Sequence, residues 1–116
     1  MNRDIKFRAK HYKTGEWVYG FFLGKTEDMG AIQDKETLGT FPVKYNTLGQ
    51  YAGIKDIEQN EIYEGDVLTL GKDLILCRWI GLGFEFRKYW KIRVQVNRNA
   101  IENKGKIIGN IHEWGD

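Results

Sequence analysis

Along this chain apolar and polar residues alternate in short runs, and glycines separate the runs. That punctuation predicts strands and turns rather than helices. In Ile5-Lys6-Phe7-Arg8-Ala9-Lys10 the residues Ile5, Phe7 and Ala9 share one face and three bases share the other, the pattern of a half-buried strand. Lys13-Thr14-Gly15 reads as a turn, because glycine takes a positive φ at little steric cost. Residues 17–23 are apolar on both faces and suit an inner strand, which pairs with the first as a hairpin. A short strand is predicted near Ala31-Ile32-Gln33 and another over 38–44, where Pro42 confines it to an edge.

Residues 47–66 read as an ordered connection, pinned to the core by Leu48, Tyr51, Ile54, Ile57, Ile62 and Tyr63, with one helical turn around residues 59–63. Residues 67–70 and 74–80 form a second hairpin about Gly71-Lys72-Asp73, and residues 81–83 reverse the chain again. Over 84–96, Phe84, Phe86, Trp90, Ile92, Val94 and Val96 keep one parity that Lys88 interrupts, so a bend is expected there. Residues 97–105 read as a polar loop and 106–111 as the last strand. No 3.6-residue period lasts three turns. The expected fold is all-β: one small domain over 1–116, with seven or eight antiparallel strands forming a partly open barrel. Its long ordered connection holds at most a helical turn.

Composition narrows the function classes. Hydrophobic residues make up 41% of the 116 and aromatics 14%, enough to bury a core and exclude a disordered chain. The single cysteine, Cys77, excludes a disulfide framework and a multi-cysteine zinc site. No apolar run has the 18 residues of a membrane helix, and Met1-Asn2-Arg3-Asp4 leads into alternation rather than an apolar leader. A soluble domain of a reducing compartment is expected, with no membrane partner and no cofactor, since phosphate-cradling glycine motifs are absent.

Two charge clusters are candidates for chemistry. Asp56, Glu58, Glu61, Glu64 and Asp66 follow one another with no base between them. Of these, Asp56, Glu61, Glu64 and Asp66 are the candidates for a hard divalent cation, which needs several converging oxygens. Their spacing is not that of an EF-hand loop. The simpler reading is structural: Gly65 supplies a bend, and Asp66 accepts a nearby backbone N–H.

Over residues 72–98 seven bases stand against two acids, although the whole chain carries only +2. Arg87, Tyr89, Trp90, Lys91 and Arg93 interleave bases with rings, as single-strand nucleic-acid binders do. The competing reading is a charged edge strand, or a basic patch that meets the acidic segment of a neighbouring copy. His11, His112 and Cys77 lie in separate segments without zinc-ligand spacing. Cys77, within an apolar run, reads as a buried thiol. Trp17, Trp79 and Trp90 read as core or interface anchors, and Trp114 near the end as a candidate interface residue.

Three segments resemble the YopX family of phage and prophage proteins. They are Ile5-Lys6-Phe7-Arg8-Ala9 with Trp17-Val18-Tyr19-Gly20; then Thr47 to Asp56, running on through Glu61-Ile62-Tyr63-Glu64-Gly65-Asp66-Val67; and Ile107-Ile108-Gly109-Asn110-Ile111-His112-Glu113. Family members often have Trp-Asp where this chain has Lys10-His11, and glycine where it has Gln59-Asn60. Asparagine tolerates left-handed backbone, so Asn60 is expected to carry that turn. The resemblance implies a β-rich fold, a phage or prophage origin, a place in the bacterial host's cytoplasm and homo-oligomers; it implies no reaction. The reading is therefore a non-enzymatic accessory protein that binds itself and a host or phage macromolecule. The alternative is a nucleic-acid-binding module built on the 87–98 segment.

Overall fold

Short apolar runs fold as strands because a pleated ribbon buries alternate side chains while its backbone groups pair with neighbours. The computed structural model describes residues 6–79, 84–88 and 97–114. In chain order the strands are β1 (Phe7–Lys10), β2 (Trp17–Thr26), β3 (Met29–Asp34), β4 (Thr40–Lys44), β5 (Gly49–Lys55), β6 (Glu61–Tyr63), β7 (Asp66–Leu70), β8 (Asp73–Trp79), β9 (Phe84–Lys88) and β10 (Lys106–Asn110). A 3₁₀ turn spans Tyr45–Thr47, and two helices, α1 (Arg98–Lys104) and α2 (Ile111–Trp114), flank β10. The chain is predominantly β, in antiparallel sheets that are left open rather than closed into barrels. Its residues gather into two units, Met1–Tyr51 and Ala52–Asp116.

In the first unit the strands lie in the order β4-β3-β2-β1-β5. The sheet curls until His11, just after β1, bridges Val43 on β4, and the Tyr12 N–H donates to the Pro42 carbonyl at 2.9 Å. A single bridge, not a ladder, joins those ends, which is the partly open arrangement the sequence suggested. Inside the curl Ala9, Val18, Ile32 and Val43 are buried, with Phe7, Phe22, Phe41 and Leu48 packed against them. Pro42 stands on β4 at the end of the sheet order, where its missing N–H costs no ladder bond. Gly20 lets β2 approach β3: a Cβ there would lie 1.9 Å from the Gln33 carbonyl oxygen.

In the second unit β6 pairs with β5, and a four-stranded sheet runs β10-β7-β8-β9. Its core gathers Ala52, Ile54, Ile62, Leu68, Ile75, Cys77, Phe86 and Ile101. Cys77 is fully buried, as its apolar neighbours predicted. The β7–β8 hairpin turns at Gly71, whose φ of 62° lies in the left-handed region.

Several elements differ from the sequence reading. The polar 97–105 loop contains helix α1. The Asn97 side chain accepts the Asn99 N–H at 2.6 Å as its N-cap, the Gly105 N–H closes the other end on Ile101 O, and Ile101 alone anchors the helix inside. One buried residue in seven leaves no periodicity to read. The 47–66 connection is mostly strand, because Gly49 and Gly53 blur the alternation of β5. Residues 61–63 form β6, not a helical turn, and Ile57 is exposed rather than pinned. The left-handed residue of the β5–β6 turn is Gln59, with φ 68°, and not Asn60.

Candidate functional site

Two buried carboxylates organise the second unit. Asp56 is fully buried. Its Oδ1 accepts the N–H groups of Glu58 and Asn60, both at 2.9 Å, and its Oδ2 accepts the Ile107 N–H at 3.0 Å. One side chain thus shapes the β5–β6 turn and ties it to the start of β10. Asp66, also buried, does the same at the next turn. Its Oδ2 accepts the Tyr63 N–H at 2.8 Å, and its Oδ1 accepts from Asn110 Nδ2 at 3.1 Å. Between them Gly65 bends the chain at φ 92°, with its N–H on Cys77 O and its carbonyl taking the Ile111 N–H.

These geometries bear on the acidic cluster. Glu61 Oε1 accepts the Tyr63 hydroxyl at 3.0 Å, while Glu58 faces Lys106 at 3.6 Å in an exposed pair of small energetic weight. Glu64 lies in the turn beside Gly65. Asp56 and Asp66 point their oxygens at backbone and amide donors. Among the described residues no three His, Cys, Asp or Glu side chains converge as metal ligands. His11 caps its own turn, accepting from the Lys13 N–H at Nδ1 at 3.1 Å, and its ring lies 6.0 Å from that of Phe41.

The basic, aromatic segment is placed only in part. Arg87 lies on β9 opposite Leu76, and its side chain is outside the described residues, as are Tyr89, Trp90, Lys91 and Arg93 altogether. Trp114 ends α2, and its side chain too is outside them.

A second array of bases and rings lies on the first unit. Cross-strand partners share a face of a sheet, and the register sets Arg8 against Tyr19 and Lys10 against Trp17. Arg8 is buried, although its strand's basic side reads as the open one. Its guanidinium sits 4.1 Å from the centre of the Trp17 ring, and Lys10 Nζ lies 5.2 Å from the same ring. Lys6 Nζ is 5.2 Å from the Tyr51 ring. Farther along β2, Tyr19, Phe21 and Leu23 are 41%, 47% and 56% exposed. The bulge between Phe22 and Gly24 leaves Leu23 without a partner in the β3 register. The signal for this array was in the sequence, in the matching parities of Lys6-Arg8-Lys10 and Trp17-Tyr19-Phe21 across one hairpin. Residues 17–23 do form an inner strand, but a run apolar on both faces does not mark which face stays exposed.

The family model described as YopX protein matches residues 6–115. The chain belongs to the YopX family. A comparison with curated proteins found no match. Several residues of the segments that carry the family resemblance have defined geometric duties. Thr47 Oγ1 takes the Lys10 N–H at 2.8 Å and donates to Lys44 O at 2.7 Å. Gly20 permits the β2–β3 approach, and Asp56, Gly65, Asp66 and Asn110 lock two turns to β10.

Proposed function

We propose that this member of the YopX family is a phage or prophage accessory protein that works by binding rather than by catalysis. It assembles as a homo-oligomer in the cytoplasm of the bacterial host and engages a macromolecular partner there. The observation that carries the reading is the row Tyr19, Phe21 and Leu23 on β2, three large apolar side chains left at the surface on one strand. Exposed apolar rows of this kind mark interaction surfaces on soluble proteins. The use of Asp56 and Asp66 as backbone acceptors supports the non-catalytic half, because it gives the buried members of the acidic cluster a complete structural role.

Light scattering tests assembly: the mass is expected to rise with concentration above the 13.6 kDa of one chain, and Trp114→Ala to lower it. A monomer at every concentration refutes that part. Titration with Mg²⁺ or Mn²⁺ tests the rest. No shift in Tm is expected, and a stabilisation abolished by Glu61→Gln or Glu64→Gln overturns the non-enzymatic reading. No helix among the described residues is long and apolar enough to cross a membrane.

A further inference from the structure

We infer that a cleft at the seam of the curled sheet in the first unit binds a small zwitterion of the free amino-acid class, with Asp28 taking its ammonium and Lys44 its carboxylate. This goes beyond the binding-module reading above and does not use the apolar row on β2. The cleft measures about 410 Å³, inside the range of roughly 300–1,000 Å³ typical of small-molecule sites. Among the described residues Tyr12, Asp28, Lys44 and Asn46 line it. They come from three stretches of chain. Tyr12 follows β1, Asp28 lies in the two-residue loop between β2 and β3, and Lys44 and Asn46 stand at the end of β4 and in the 3₁₀ turn. Backbone acceptors fix these walls. The Tyr12 N–H donates to Pro42 O at 2.9 Å, the Tyr45 N–H to Asp28 O at 3.1 Å, and the Thr47 hydroxyl to Lys44 O at 2.7 Å.

The polar ends of these four side chains are left to a ligand. Among the described residues no ion pair joins Asp28 to Lys44, and none supplies a hydrogen bond to the Tyr12 hydroxyl or the Asn46 amide. Opposite charges in one cleft select against a partner of a single sign, because a polyanion meets Asp28 and a lone cation meets Lys44. A molecule that carries an ammonium and a carboxylate together satisfies both, through charge-assisted hydrogen bonds. The Asn46 amide adds a donor and an acceptor, and the exposed Tyr12 ring gives the amino acid's side chain an apolar wall. A hollow of about 360 Å³ at the β2 bulge lacks this pairing. Its one charged liner among the described residues, Lys25, already stands 4.4 Å from the centre of the Tyr45 ring. Binding in the cleft also has a structural consequence. A single bridge joins the two sides of the seam, and a ligand held by Tyr12 on one side and Lys44 on the other ties them together.

The test is a thermal-shift screen of the full chain against the common L-amino acids at millimolar concentration, followed by NMR titration. At least one amino acid is expected to raise Tm, since a ligand that binds only the folded state stabilises it. Its N-acetyl and its amide derivatives, which lack one charge each, should bind roughly ten-fold or more weakly. Asp28→Asn and Lys44→Gln should each weaken binding of the amino acid by a similar factor, roughly ten-fold. Both side chains are exposed and not paired with each other, so neither variant should move the Tm of the free protein. The bound amino acid should also slow hydrogen exchange of the Tyr12 N–H at the seam. No shift with any amino acid, equal binding of the N-acetyl and amide forms, or affinity indifferent to both substitutions overturns the inference. Should either variant lose stability, the wild-type amide resonances of Tyr12 and Asn46 decide. They should shift on titration with the amino acid, and resonances that stay in place overturn the inference as well.

Discussion

The Oδ2 of Asp56 accepts the backbone N–H of Ile107 at 3.0 Å across 51 residues of chain. With its other oxygen serving Glu58 and Asn60, this carboxylate satisfies three N–H groups from a fully buried position. Truncation leaves those donors without an acceptor in the interior. Asp56→Ala should therefore cost about 3 kcal/mol in urea denaturation, in line with lost charge-assisted hydrogen bonds and buried unsatisfied donors. A loss below about 1 kcal/mol would remove the case for Asp56 as the tie between the turn and β10.

Gly20 makes a sharper steric prediction. The Gln33 carbonyl would sit 1.9 Å from any Cβ at that position. Gly20→Ala must push β2 and β3 apart, and a loss of about 3 kcal/mol or more is expected. Gly15 supplies the control. Its φ is 76° with open space around it, so Gly15→Ala should cost only about 1 kcal/mol of backbone strain. Equal effects of the two substitutions in thermal melts would contradict the close-approach argument.

Gln59 holds φ 68° in the turn between β5 and β6. Left-handed backbone costs an L-residue about 1–2 kcal/mol, part of which glycine gives back as unfolded-chain entropy. Gln59→Gly should stabilise the protein by about 0.5–1 kcal/mol, whereas Asn60→Gly should not. The two Tm values measured side by side decide which residue bears the strain.

Asp34 supplies a pH signature. The N–H groups of Thr37 and Glu36 bond its carboxylate, at 2.9 and 2.8 Å, and hold its pKa below the ordinary carboxylate value. The folded value lies below the unfolded one. The stabilisation is thus present above the unfolded pKa and fades as pH falls through the folded one. The stability gap between the wild type and Asp34→Ala should be constant near neutrality and close on acidification below about pH 4. A gap unchanged down to pH 2 would assign the effect to packing of the β3–β4 turn instead.

Much of this fold was legible beforehand for local reasons. The hairpins β1–β2 and β7–β8 followed from period-two runs on either side of a turn, Pro42 marked its edge, and the bend at Gly65 with its Asp66 acceptor was written in adjacent residues. Helix α1 was not legible. It is held by the Asn97 cap and by Ile101, and one apolar anchor makes no pattern. Of the candidate site, the ingredients on β1 and β2 were visible, but their meeting on one face depends on the register Arg8–Tyr19 and Lys10–Trp17, which a linear reading does not supply.

By itself the sequence determined the β class, the positions of the main turns and membership of the YopX family, because alternation, glycine conformation and a run of shared motifs are properties of neighbouring residues. Only the tertiary structure decided that Asp56 and Asp66 serve β10 and that Arg8 is buried beside Trp17 while Tyr19 and Phe21 stay outside. Those outcomes come from donors tens of residues away, the Ile107 N–H and the Asn110 side-chain amide, that must be satisfied, and from the Trp17 ring, which lies against Arg8 on the face of the sheet turned away from the curl.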